Sequence, residues 1–140
     1  MPQVDVIDES FVVADPAELA AIVHDPALWR RWWPDLELQV AHDRGRDGLR
    51  FAVTGALVGT AEFWLEPWGD GVVVHYFLRA DVTRPGSAVE VRALSAKAAA
   101  REVRRRGQQN KRGIWALKDA LEKGRPTGEP RVAPGGATVG

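Results

Sequence analysis

The sequence predicts an α+β domain in which a curved antiparallel sheet of five to seven strands wraps on one long C-terminal helix. Three observations carry this reading. A strand pattern comes first and is followed by two short helices that each open with Asp-Pro. Alternating segments joined by hairpin signals then run to about residue 82. Beyond them, only the stretch from Ser95 to about Lys123 is long enough to cover a sheet face.

Each element has a local cause. Residues Gln3 to Val13 read as a strand, with Ile7, Glu9, Phe11 and Val13 on one face, taken as the inner one, and Asp8, Ser10 and Val12 on the other. Asp15-Pro16-Ala17-Glu18 is a helix start: Asp15 can accept from free backbone N–H groups and Pro16 suits the first helical position. Asp25-Pro26 repeats the signal, and a second helix from Ala27 to Trp33 stops at Pro34, because the residue before proline avoids helical geometry. Leu36, Leu38 and Val40 alternate with Glu37 and Gln39, and Leu49, Phe51 and Val53 with Arg50, Ala52 and Thr54. A glycine-bounded loop, Gly55 to Gly59, leads into a strand over Thr60–Glu66. Trp68-Gly69-Asp70-Gly71 signals a hairpin.

If that hairpin turns at Gly69-Asp70, Trp64 faces His75 and Phe63 faces Tyr76. Ala61, Phe63, Leu65, Val72, Val74, Tyr76 and Leu78 then form an apolar face, assigned to the core. Thr60, Glu62, Trp64, Glu66, Val73, His75, Phe77 and Arg79 form the outer face. Val89 to Arg92 is a short extended piece inside a Pro-Gly loop. The closing helix buries Val103, Asn110, Ile114, Leu117 and Leu121, and Gly107 and Gly113 mark a bend or a close approach. Residues 1–123 are read as the domain. Residues 124–140, rich in Pro and Gly, are read as a disordered tail.

Bulk properties exclude several functions. With 19 basic and 19 acidic residues the chain lacks the basic excess of a dedicated nucleic-acid binder. It has no cysteine, so disulfides, thiolate metal sites and cysteine nucleophiles are ruled out. No apolar run reaches the roughly 18 residues of a membrane span, and the first eight residues lack a signal peptide's basic and apolar regions, so a cytoplasmic location is expected. No His/Asp/Glu cluster has metal-ligand spacing, and no phosphate-binding glycine loop or serine nucleophile motif occurs. No cofactor or metal is implied. Five of the six tryptophans lie between Trp29 and Trp68, which concentrates rigid apolar side chains there.

Three segments carry a resemblance: Val6-Ile7-Asp8-Glu9-Ser10-Phe11, the run Asp25-Pro26-Ala27-Leu28-Trp29-Arg30-Arg31-Trp32-Trp33-Pro34-Asp35-Leu36, and Trp115-Ala116-Leu117-Lys118-Asp119-Ala120-Leu121-Glu122. With the element order, they resemble the START-like, helix-grip superfamily of polyketide cyclases/dehydrases, lipid-transfer domains and Bet v 1-like allergens (SRPBCC), in its small actinobacterial form. The resemblance covers about residues 3–123. It implies a cavity between sheet and C-terminal helix for a small hydrophobic molecule such as a lipid, fatty acyl or polyketide-like compound. One fold hosts binders, transporters and enzymes, so it does not choose among them.

Three functions follow. For a binding module, the pocket walls are Trp29, Trp33, Phe51, Phe63, Tyr76 and Leu117, with Trp29, Trp32 and Trp33 either a lid over the ligand or a plug of core. For a cyclase/dehydrase-type enzyme acting on a poly-ketone chain, Tyr76, Glu9 and Asn110 are the candidate acid, base and orienting donor. Glu9 is either a desolvated inward carboxylate or an edge position open to water. The third function is a homodimer paired through Trp64, Val73 and Phe77 on the outer face. His75, beside Glu62 and Glu66, is either an acid–base pair or a surface ion pair. The basic stretch Arg101, Arg104, Arg105, Arg106, Lys111 and Arg112 is read as a solvated helix face, or else as a dock for an anionic partner.

Overall fold

The computed structural model describes residues 2–122, so the expected tail at 124–140 lies outside the described residues. The chain runs β1 (Val4–Val12), α1 (Pro16–Val23), α2 (Pro26–Trp32), β2 (Leu36–Asp43), a 3-10 turn (Gly45–Asp47), β3 (Gly48–Gly55), β4 (Leu57–Trp68), β5 (Gly71–Val82) and α3 (Ala96–Glu122). One antiparallel sheet has the order β1-β5-β4-β3-β2, with the first strand beside the last. The 27 residues of α3, about 40 Å of helix at about 1.5 Å per residue, cross its inner face, and α1 and α2 close one end.

Local chemistry sets these boundaries. The Asp15 carboxylate accepts from the Ala17 and Glu18 N–H groups at 3.1 Å, and Asp25 accepts from Ala27 at 2.9 Å. Each satisfies donors that the first helical turn leaves free. Ser95 caps α3 through the Ala98 N–H at 3.1 Å. The β4–β5 hairpin has the expected register, Trp68 opposite Gly71, Trp64 opposite His75 and Phe63 opposite Tyr76. The face assigned to the core is buried at every position from Ala61 to Leu78.

Two expectations need correction, at the start of β4 and in the faces of β1. The loop between β3 and β4 is one residue long, because Leu57 is fully buried and pairs with Val82, so β4 starts before Gly59. Val89 to Arg92 is the short extended piece expected inside its loop, with a single bridge from Val91 to Thr83. The faces of β1 are reversed. Val4, Val6 and Val12 point into the core with Asp8 and Ser10, while Ile7 is 67% exposed and Glu9 lies beside it on the outer side. The inward Asp8 and Ser10 are tolerated because α3 supplies their partners. Lys111 pairs with Asp8 at 2.7 Å, and Ser10 donates to Asp8 at 3.0 Å.

Candidate functional site

The space between sheet and helix is where this architecture could hold a ligand. Helix α2 and the residue that ends it deliver Trp29, Trp32 and Trp33 to its mouth. Trp33 lies parallel to Tyr76, with ring centroids 5.7 Å apart and planes at 13°. It also meets Phe63 at 5.8 Å and Trp32 at 5.6 Å. Trp29 packs edge-on against Phe51 at 4.7 Å and donates its indole N–H to the Val23 carbonyl at 2.7 Å. Trp29, Trp33, Phe51, Phe63 and Tyr76 thus form one continuous aromatic cluster, while Leu117 lies on α3 facing α2. Trp33, Phe51, Phe63 and Tyr76 expose 2% of their surface or less. Rings with no surface open to water border no water-sized void, so these residues fill the interior rather than line a space within it.

A polar pole adjoins the aromatic cluster. Arg106 is 1% exposed and holds Asp35 through two hydrogen bonds, at 3.0 and 2.7 Å. Its Nε donates to Glu102 at 3.0 Å. This corrects the reading of Arg106 as part of a solvated helix face. Burial alone would raise the Asp35 and Glu102 pKa values, but hydrogen bonds and charge from Arg105 and Arg106 outweigh it and hold both carboxyls below their ordinary range. Asp35 follows Trp33-Pro34, so the guanidinium anchors the segment that carries the Trp33 ring. One turn along α3, fully buried Asn110 donates to Asp8 at 3.3 Å, and its Oδ1 has no partner among the described residues. Asp8 sits opposite Tyr76 across the β1–β5 ladder. Burial pushes the Tyr76 phenol far above its ordinary value, against the opposing pull of the Arg106 charge and the Trp33 indole.

An open groove lies on the other side of Trp32. It has a volume of about 370 Å³ and runs between α1–α2 and α3. Ile22, Leu28, Trp32, Leu117 and Leu121 give it apolar walls, and Asp25 and Arg31 stand among its lining residues. Gly113 lets the Trp32 wall lie directly against α3: a Cβ there would sit 2.7 Å from the Trp32 ring. The close approach expected at this glycine is therefore present, whereas a Cβ at Gly107 would meet nothing within 4 Å.

On the outer face, His75 stacks on Trp64 with centroids 4.1 Å apart. Its Nε2 lies 3.1 Å from Glu66 and its Nδ1 3.3 Å from Glu9. Glu62 is drawn instead to Arg44 at 3.0 Å. Glu9 therefore stands across the sheet from Tyr76 and Asn110, and the three expected acid–base groups do not converge on one space.

Sequence reasoning missed Arg106, Asp35, Asp8 and the identity of Trp32 as the ring that approaches Gly113. A signal for Arg106 existed. Positions 103, 106, 110, 114, 117 and 121 follow the three-and-four spacing of one helix stripe, which places the arginine among buried residues. Nothing local signalled Asp35 or Asp8, whose partners lie 71 and 102 residues away.

No family model matches the sequence, and no curated protein is similar to it to a significant degree. Solved structures do resemble the fold. An Aha1 dimer from Colwellia psychrerythraea is 14% identical, with a TM-score of 0.57 over 88% of this chain and 99% of that one. A Deinococcus radiodurans protein determined as a structural-genomics target is 12% identical, with a TM-score of 0.60 over 86% of this chain and 98% of that one. A START superfamily protein from Mycobacterium smegmatis is 17% identical, with a TM-score of 0.47 over 84% of this chain and 98% of that one. At these identities the likeness of the first two is one of fold, the helix grip.

Proposed function

We propose that this helix-grip chain is a non-catalytic binding module for a small hydrophobic molecule of lipid, fatty acyl or polyketide-like character, and that it is related to small actinobacterial members of the superfamily. The observation that carries the reading is the apolar groove between α2 and α3, whose volume falls within the range of small-molecule sites. The ligand lies in this groove against Leu28, Trp32 and Leu117. It reaches the interior only if Trp33 leaves its stack on Tyr76, and the Arg106–Asp35 pair restrains that movement. Titration with the neutral fluorophore N-phenyl-1-naphthylamine tests the reading. Saturable fluorescence enhancement, displaced by fatty acids and lost in Ala116→Trp, supports it. No binding, or binding indifferent to Ala116→Trp, removes it. The separation of Glu9 from Tyr76 and Asn110 gives acid–base catalysis by that trio no geometric support.

A second reading is favoured by the outer sheet face. Ile7 and Trp68 are 67% and 68% exposed and Trp64 is 39% exposed, with Phe11, Val73 and Phe77 half-buried among them. Exposed apolar area of this kind suits pairing with a second copy, and the Colwellia structure is itself that of a dimer. A homodimer by light scattering that becomes monomeric in Trp64→Glu, with unchanged circular dichroism, is the expected result; a monomer at micromolar concentration overturns it.

A further inference from the structure

The charges of this neutral chain are sorted by element. Residues 96–122, which form α3, carry eight Lys or Arg against three Asp or Glu, a net of +5; residues 1–95 carry eight against fifteen, a net of −7. Part of the helix charge is neutralised internally. Arg105 and Arg106 pair with Asp35 and Glu102, Lys111 with Asp8, and Lys118 with Glu122. Arg101, Arg104 and Arg112 form no ion pair among the described residues, and all three are exposed. They form a ridge on one side of α3, falling within an arc of about 80° at about 100° per residue.

That ridge ends in Trp115, three residues beyond Arg112. It is the one tryptophan outside the 29–68 cluster, and it is 62% exposed. The next residue, Ala116, belongs both to the exposed surface and to the lining of the α2–α3 groove. Across the groove, α2 presents Arg31, also exposed. The α2 side of the groove thus carries Arg31 with Asp25, while the basic ridge and Trp115 lie on the solvent side of α3, roughly 100° round the helix from Ala116. Asp119, one turn beyond Trp115, ends the basic run.

We propose that this ridge docks the protein on an anionic lipid bilayer, with Trp115 at the headgroup level and the groove on the flank of the contact. The chemistry is specific in kind. Unpaired guanidinium groups suit phosphate-bearing headgroups. A tryptophan with an apolar body and an N–H suits the interface rather than bulk water. The acidic remainder of the chain is repelled by the same surface, so the charge separation orients the approach. Docking of this geometry brings the apolar groove beside the phase where apolar molecules are held. The purpose, though not the docking itself, rests on the ligand-binding role proposed above.

Co-sedimentation of the full chain with vesicles tests the proposal. Binding is expected to equimolar phosphatidylglycerol and phosphatidylcholine, to be absent with phosphatidylcholine alone, and to fall steeply with salt. Arg104→Gln and Arg112→Gln should each weaken partitioning about fivefold, given the contribution of one surface cation, and Trp115→Ser should weaken it further, all with unchanged circular dichroism. Equal binding to neutral vesicles overturns the proposal. So does retention on polyglutamate or duplex DNA without vesicle binding, which assigns the ridge to another anionic polymer. N-phenyl-1-naphthylamine titration without vesicles separates the two readings: vesicle binding with no probe binding leaves docking intact and removes the ligand role, and the converse does the opposite.

Discussion

Arg106 shows how a single buried charge can fix the geometry around it. Its guanidinium is almost wholly enclosed, so its hydration is replaced by Asp35, Glu102 and Gln109, each within 3.0 Å. Removing Asp35 leaves the charge with fewer acceptors and little access to water. Asp35→Asn is therefore expected to cost about 2 kcal/mol at pH 7, toward the lower end for charged hydrogen bonds because the Asp35 carboxylate is itself partly solvated. The pH dependence follows from the depressed pKa. A carboxyl lowered on folding adds stability that is fully present above its unfolded value, here an ordinary 3.8, and lost as pH falls through the folded value. Melting curves from pH 7 to 3 should show a constant gap between wild type and Asp35→Asn down to about pH 4, closing below 3.8. A gap that widens on acidification contradicts this assignment.

Elements differ in how openly their sequences declare them. The register of the β4–β5 hairpin was legible to the residue, because a Gly-Asp turn places Trp68 opposite Gly71 and fixes every pair beyond it; where β4 begins was not. The capped starts of α1 and α2 were equally plain. Strand β1 was legible as a strand but not in its orientation. It carries apolar residues on both faces, Val4, Val6 and Val12 against Ile7 and Phe11, and polar ones on both, Asp8 and Ser10 against Asp5 and Glu9. Only α3, whose Asn110 and Lys111 answer those groups, determines which side is buried. The aromatic residues were correctly gathered, but whether they line a space or fill it depends on ring packing that no spacing rule contains. Within α3 the two glycines make a paired test. Gly107→Ala adds a methyl with nothing within 4 Å and should stabilise by about 0.5–1 kcal/mol through helix propensity. Gly113→Ala gains the same propensity but drives its methyl into the buried Trp32 indole, so it should be net destabilising by about 1–3 kcal/mol. Thermal unfolding of both variants decides the matter; equal stabilisation would show that Trp32 moves freely.

At the scale of the molecule, one aromatic cluster ties α2 to β3, β4 and β5 through Trp29, Trp33, Phe51, Phe63 and Tyr76. Trp33 is its keystone, and Trp33→Ala should cost about 3–5 kcal/mol. The resulting void faces Tyr76 and Phe63 and has the shape of an indole. Millimolar indole is expected to raise the melting temperature of Trp33→Ala while leaving wild type unchanged, since a ligand that binds only the folded state stabilises it by mass action. No rise in the variant would mean that the cluster collapses on itself. The sheet order carries a consequence of another kind, in time rather than in energy. Strand β1 is the first to leave the ribosome, yet its only sheet neighbour is β5, in the register Val4 to Ala80 and Val12 to Val72. At about 5–20 residues per second the nascent strand waits roughly 4–14 s for its partner. Its inward valines and outward Ile7 and Phe11 remain uncovered meanwhile. The N-terminal segment is thus the part of this chain most dependent on protection during synthesis, and Asp5, Asp8 and Glu9, spaced among those apolar side chains, keep neighbouring copies apart until β5 arrives.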